Sequence, residues 1–156
     1  MKPTLRFLVS DPAHFIALGF GSGLVPKGPG TAGTLVGWLL FPFVRAPLSD
    51  PLFGGLLLAS FLFGILACER TGRALGVADH GGIVWDEIVA IWLVLWLTPP
   101  TLAWQTTAFV LFRFFDIVKP PPIRWVDERT RGGLGVMFDD LLAAGYTLLV
   151  LALLVR

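Results

Sequence analysis

The stretch GGIVWDEIVAIWLVLWLTPP, residues 81–100, is almost entirely apolar, yet it carries two adjacent acids, Asp86 and Glu87, near its start. An apolar run of this kind is typical of a helix in lipid. A carboxylate in such surroundings is costly and usually serves a site. The stretch therefore predicts a membrane helix whose first turn takes part in function.

The rest of the chain has the same apolar character. Of its 156 residues, 55% are hydrophobic and 15% are charged, and the mean hydropathy is +0.77. Soluble domains are nearer one quarter charged. We therefore predict an integral membrane protein formed by a single domain over residues 1–156. A net charge of +1 gives no basic surface for a nucleic-acid partner, and the single cysteine, Cys68, excludes an internal disulfide.

Five apolar segments follow one another along the chain, at residues 31–46, 52–68, 82–97, 101–115 and 137–155. Unpaired backbone groups cannot face lipid, so each segment is expected to be a helix. The second and fifth segments are long enough to cross a bilayer, and the other three need flanking residues to do so. Short proline-containing connections predict hairpins of the first two segments and of the third and fourth. The predicted fold is an all-α, multi-pass membrane bundle of about five hydrophobic helices.

The basic residues predict the orientation of this bundle. With the N-terminus in the cytoplasm, only Arg45 and Arg156 lie outside, which satisfies the positive-inside rule. The other ten lie on the cytoplasmic side: Lys2, Arg6, Lys27, Arg70, Arg73, Arg113, Lys119, Arg124, Arg129 and Arg131.

In this orientation five acids gather at the cytoplasmic face. They are Asp86 and Glu87 at the start of the third segment, Asp116 at the end of the fourth, and Asp139 and Asp140 at the start of the fifth. Acids at helix starts can simply complement the helix dipole, but neither the paired acids nor Asp116 at a helix end fits that explanation well. Five carboxylates would repel one another unless a divalent cation lay between them. Mg²⁺ and Mn²⁺ prefer such oxygen ligands, so all five are candidate metal ligands and catalytic groups for chemistry on a phosphate ester.

Basic and hydroxyl side chains near the same face are candidates for binding the phosphate. The stretch GSGLVPKGPGTAGT, residues 21–34, offers Lys27, Thr31 and Thr34, and Arg113 and Lys119 flank Asp116. Each has a simpler alternative role, because glycines also serve helix contacts and basic residues also anchor membrane helices.

Other phosphatase chemistries lack their residues. A cysteine phosphatase needs Arg six positions after the cysteine, and Ala74 stands there after Cys68. Lipid phosphatases that use histidine need several, and this chain has only His14 and His80. His80 lies close to Asp86 in sequence and either assists the site or is simply solvated.

A second function class stays open at this point. Intramembrane acids also mark ion pathways, so the chain could be a small cation transporter or channel subunit. Transporters usually place such acids near the middle of the membrane. Here the acids are predicted at one face, which favours the phosphatase.

Four motifs in order, GSGLVPKGPGTAGTL, DHGGIVWDEIV, FRFFDIVKPPPIRWVDE and GGLGVMFDDLLAAGY, resemble the phosphatidylglycerophosphatase A family over residues 19–146. The resemblance implies a Mg²⁺-dependent phosphatase of phospholipid biosynthesis in the bacterial inner membrane. Its substrate would be the phosphorylated glycerolipid phosphatidylglycerophosphate, met at the cytoplasmic side. The family's acids map to the same five positions, Asp86, Glu87, Asp116, Asp139 and Asp140. Ala90 stands where the family pattern has glycine, which alters helix packing more than chemistry. The resemblance does not predict an oligomeric state.

A reporter fused after residue 156 should report a location outside the cytoplasm, because five crossings from a cytoplasmic N-terminus end there. Paired fusions of alkaline phosphatase and green fluorescent protein would measure this. A C-terminus found in the cytoplasm would defeat the arrangement with five crossings.

Overall fold

The computed structural model describes residues 2–155, and within that range all regular secondary structure is helical. A 3₁₀ helix, Gly19–Leu24, lies among eight α helices. The α helices are α1 Leu5–Val9, α2 Pro12–Ala17, α3 Pro29–Arg45, α4 Asp50–Leu75, α5 Trp85–Trp96, α6 Leu102–Val118, α7 Ile123–Arg129 and α8 Gly132–Leu154.

Helix α5 forms the centre of the molecule, with α3, α4 and α8 packed around it. Ten of its 12 residues are buried. A helix of 12 residues is about 18 Å long, which is short of the roughly 30 Å hydrocarbon core of a bilayer. The quoted apolar stretch is therefore a core helix enclosed by its neighbours, too short to cross a membrane alone.

Glycines on α3 allow α5 to approach closely. A Cβ atom on Gly33 would lie 2.6 Å from the Cβ of Val84, and one on Gly37 would lie 2.6 Å from Cγ2 of Ile91. The indole N–H of Trp92 donates a hydrogen bond to the carbonyl oxygen of Gly37 at 2.8 Å. Small residues on one helix face permit this approach of backbones. This part of the glycine-rich stretch therefore serves helix packing, the simpler of its two interpretations.

Helices α4 and α8 form a second close pair. A Cβ atom on Gly133 would lie 1.9 Å from the carbonyl oxygen of Ile65. The carboxylate of Glu69 accepts a hydrogen bond from the Gly133 N–H at 2.7 Å, so α4 caps the start of α8. Within residues 2–155 these two helices, of 26 and 23 residues, are long and apolar enough to cross a membrane.

The structure differs from the predicted hairpin of the first two segments. Helices α3 and α4 meet near their connection, where the rings of Phe41 and Phe53 lie 5.8 Å apart, but α3 packs chiefly on α5 and α4 chiefly on α8. The hairpin is open because α5 lies between its arms. Helix α8 also begins at Gly132, ahead of the predicted residue 137, so Asp139 and Asp140 lie in its third turn rather than at its tip.

The N-terminal elements cover the acidic end of α5. Helix α2 packs on α4, where Asp11 forms an ion pair with Arg70. The N–H of Val84, just before α5, donates a hydrogen bond to the carbonyl oxygen of Ala17 at 2.8 Å. This hydrogen bond to the end of α2 helps to fix the position of the start of α5.

Gly133→Ala should lower the free energy of unfolding by about 1–3 kcal/mol, because the new methyl group meets backbone atoms of α4 that cannot move aside. Thermal unfolding of the purified protein in detergent, followed by circular dichroism, would measure the change. Gly145→Ala is the matched control in the same helix, since nothing lies within 4 Å of its added methyl group. Equal melting temperatures for the two variants would contradict the close packing of α4 and α8.

Candidate active site

Three carboxylates converge where the start of α5 faces α8. One oxygen each from Asp86, Glu87 and Asp140 lies within 4.8 Å of the other two, and all three residues are buried. Adjacent residues of a helix point about 100° apart, yet both Asp86 and Glu87 reach the group formed with Asp140. These three side chains are called the carboxylate triad below.

Several carboxylate oxygens of this region have no hydrogen-bond partner among the described residues. They are Asp86 Oδ1, Glu87 Oε2, Asp139 Oδ1 and Asp140 Oδ2. A buried charged group without a partner costs several kcal/mol. A bound cation would supply the missing partner, because hard divalent ions take carboxylate oxygens as ligands. The donor set therefore fits a metal ion, and the carboxylate triad is where it could bind.

Arg113 of α6 neutralises part of the negative charge. Its Nη1 donates hydrogen bonds to the carboxylate of Asp116, to Glu87 Oε1 at 3.5 Å and to Thr34 Oγ1 at 3.4 Å. Thr34 is buried and donates its own hydroxyl hydrogen to the carbonyl oxygen of Gly30 at 2.9 Å. Arg113 thus joins α3, α5 and α6 at the site, while its Nε has no partner among residues 2–155.

Lys119 is the second cation of the site. Its ammonium group lies 2.5 Å from Asp139 Oδ2 and 3.1 Å from Asp127 Oδ1. Burial alone would lower the pKa of Lys119, but the hydrogen bonds to these two carboxylates outweigh burial and raise the pKa above its ordinary value. Lys119 therefore stays protonated at neutral pH and holds Asp139 between α7 and α8.

Gly30 makes room for the charged groups at the start of α3. A Cβ atom at this position would lie 2.2 Å from Glu87 Oε1 and 3.0 Å from Arg113 Nη2. Any side chain here would displace the ion pair of Glu87 with Arg113. This glycine is thus required by the site itself, whereas Gly33 and Gly37 are required by packing.

The predicted site residues fall into distinct positions. The five acids lie together, with the carboxylate triad at the centre, Asp116 beside Arg113 and Asp139 beside Lys119. Lys27 and Thr31 are exposed near the start of α3. Lys27 makes no ion pair with any residue between 2 and 155. Thr34 is enclosed instead, so it positions Arg113 and does not face solvent.

Asp127 also lies at the site, although the sequence did not single it out as a candidate. It belongs to α7, a short helix packed on α8, and reaches Lys119 from there. Its signal was its place in the motif FRFFDIVKPPPIRWVDE, eight residues after Lys119. His80, in contrast, accepts a hydrogen bond from the Gly82 N–H at 3.0 Å within its own turn.

Comparisons with known proteins agree on one family. The family profile described as Phosphatidylglycerophosphatase A matches residues 15–155. A phosphatidylglycerophosphatase A of Haemophilus influenzae is 44% identical over 96% of this chain and 92% of its own length. One of Escherichia coli is 43% identical over 88% of this chain and 80% of its own length.

A more distant relative has a different name. A protein of Bacteroides thetaiotaomicron, 39% identical over 88% of this chain and 89% of its own length, is provisionally named a phosphatidylinositol-3-phosphatase. No solved structure gives a significant match.

Asp140→Asn should stabilise the metal-free protein by about 0.5–2 kcal/mol, because it removes one of three negative charges held close together. The same change should reduce the rise in melting temperature that a divalent cation produces, since one ligand oxygen loses its charge. Thermal unfolding in EDTA and in MgCl₂ or MnCl₂ would measure both effects.

Glu128→Gln is the control for Asp140→Asn, because the Glu128 side chain is 63% exposed and its one ion pair among residues 2–155 is with Arg124 of its own helix. Two results together would contradict a metal site at the carboxylate triad. Asp140→Asn would show no higher melting temperature than the unaltered protein in EDTA, and the cation would raise its melting temperature as much as that of the unaltered protein.

Proposed function

Because the chain belongs to the phosphatidylglycerophosphatase A family, we propose that it hydrolyses phosphatidylglycerophosphate to phosphatidylglycerol and inorganic phosphate. The observation that carries this proposal beyond the family is the carboxylate triad, held within 4.8 Å in a buried site. Hydrolysis breaks the ester bond between phosphorus and the terminal glycerol oxygen. Water supplies the oxygen that the phosphate keeps, and the departing glycerol oxygen takes up a proton.

Mg²⁺ is the cofactor we propose. Asp86, Glu87 and Asp140 would hold it, with Asp116 and Asp139 beside them. A bound Mg²⁺ would offset the charge of the phosphate oxygens and favour ionisation of water. Support comes from the unpaired oxygens of buried carboxylates and from the preference of Mg²⁺ for such ligands.

The basic side chains would bind the phosphate. Arg113 Nε has no hydrogen-bond partner among the described residues, and Lys119 carries a positive charge beside the carboxylates. Lys27 and Thr31 stand near the start of α3, where backbone N–H groups and the helix dipole favour anions. Thr34 contributes by holding Arg113 in place.

Proton transfer is assigned to Asp139. Its Oδ2 accepts a hydrogen bond from Lys119, while its Oδ1 has no partner among the described residues and is free to accept a proton from water. A direct attack by a carboxylate on phosphorus is the competing route. Trapping with hydroxylamine separates the two routes, because only direct attack leaves an acyl-phosphate that hydroxylamine can capture.

We place the protein in the bacterial cytoplasmic membrane as one domain over residues 1–156. Helices α3, α4, α6 and α8 would surround α5 in a multi-pass bundle, with the N-terminus and the site on the cytoplasmic side. The ten basic residues predicted on that side support this orientation. Asp139 and Asp140 follow the start of α8 by about 11 Å, so the site would be a recess beneath the membrane surface.

The partners we propose are the phosphorylated glycerolipid and the surrounding membrane lipid, and no nucleic acid. The provisional name of the Bacteroides relative makes phosphatidylinositol-3-phosphate the comparison substrate for any assay. Family membership argues against the transporter interpretation, because the relatives named above are phosphatases.

Asp86→Asn should lower phosphate release from phosphatidylglycerophosphate by about 100-fold or more, because one charged ligand of the proposed metal is lost. The protein should still insert into the membrane. Colorimetric phosphate release in mixed micelles would measure this, with EDTA abolishing and Mg²⁺ restoring the activity of the unaltered protein.

Asp50→Asn makes the same chemical change at the first residue of α4, away from the site. The carboxylate there is 71% exposed and pairs with Arg45. This control should retain normal turnover. Near-normal turnover by Asp86→Asn, or full activity in EDTA, would refute the assignment.

A further inference from the structure

A side cavity of about 260 Å³ opens between α4, α5 and α8. Its wall is apolar over most of its length. Its lining includes Leu58 and Phe61 of α4, Val89, Ala90 and Leu93 of α5, and Leu141 of α8.

The inner end of this cavity is formed by the active site itself. Asp86 lines the cavity and also belongs to the carboxylate triad. Among the described residues that line the cavity, Asp86 alone carries a charge. Val89, Ala90 and Leu93 follow Asp86 on one face of α5, so the cavity extends about 10 Å along the helix from the site.

The outer rim of the cavity lies on the surface that lipid would cover. Leu58 is 61% exposed at this rim, and Leu62 and Leu66 continue the same exposed apolar surface along α4. Helix α4 meets the length and hydropathy of a membrane span. A molecule in the cavity would therefore reach from surrounding lipid to the carboxylate triad without crossing water.

We propose that this cavity binds the first part of one acyl chain of the glycerolipid substrate. The chain would enter laterally from the membrane, between α4 and α8. The proposal rests on the proposed function. An apolar channel with a charged group only at its inner end fits a hydrocarbon chain joined to a polar head group. A peptide segment would leave its backbone N–H and C=O groups unpaired along these walls.

Ala90→Phe tests the proposal, because a ring at this buried position fills the cavity. Each protein is assayed with two substrates: long-chain phosphatidylglycerophosphate in mixed micelles, and the deacylated soluble compound glycerophosphoglycerophosphate. We expect kcat/KM for the long-chain lipid to fall at least tenfold through a rise in KM. Turnover of the deacylated compound should stay within twofold of the unaltered protein.

Two further variants separate a blocked cavity from a damaged fold. Leu58→Trp narrows the exposed rim and should give the same selective loss. Leu62→Trp, one turn further along α4 and also exposed, does not line the cavity and should leave both substrates unaffected.

A photolabel gives a readout that does not need turnover. Phosphatidylglycerol with a diazirine partway along one acyl chain should label residues 89–93 of α5 and Phe61, and Ala90→Phe should abolish this labelling. Label confined to Leu62 and Leu66 would overturn the proposal.

The kinetic outcomes distinguish the proposal from its premise. An equal loss on both substrates, or no loss on either, overturns the acyl-chain cavity while the phosphatase function stands. Phosphate release from neither substrate by the unaltered protein overturns the function and the cavity assignment with it.

Discussion

Carboxylates gathered in an apolar interior need positive charge beside them, and the packing around the start of α5 follows from this need. Asp86 and Glu87 enter the site with the central helix, and Asp139 and Asp140 enter it from α8. Charge interactions are stronger here than in water because the surroundings have a low dielectric constant. Arg113 and Lys119 therefore tie α3, α6 and α7 to the same point. Their two positive charges are fewer than the negative charges of the acids, so part of the negative charge of the carboxylate triad is not neutralised by protein groups.

The helices of the bundle could be largely predicted from the sequence, but their packing partners could not. Long apolar runs bounded by proline-containing turns indicate helices, because no other backbone arrangement hides its polar groups in lipid. Helix α8 began earlier than predicted because GGLGV, residues 132–136, reads as a turn. In the structure the Gly133 N–H is capped by Glu69, which is 64 residues away. An interaction so distant in sequence leaves no local signal.

The gathering of the five acids could be predicted from the sequence to a similar degree. One consistent orientation placed five acids at one face, and the structure brings these five together. The individual pairings were not predictable, since a helix that is apolar on all sides gives no sign of its rotation about its axis. Arg113 and Lys119 thus pair with acids in this structure, while the sequence suggested either phosphate binding or the anchoring of membrane helices. Asp127 entered the site because α7 packs on α8.

The hydrogen bond from the Gly133 N–H to Glu69 joins α8 to α4, a helix that is synthesised earlier during translation. As the ribosome extends the chain, α4, α5 and α6 are complete before α8 exists, and until then Lys119 lacks Asp139. The last of the described helices supplies Asp140 to the carboxylate triad and Asp139, one of the two partners of Lys119. Assembly of the site is therefore postponed until α8 has been made, and a chain cut short before residue 132 retains only Asp127 as a partner of Lys119.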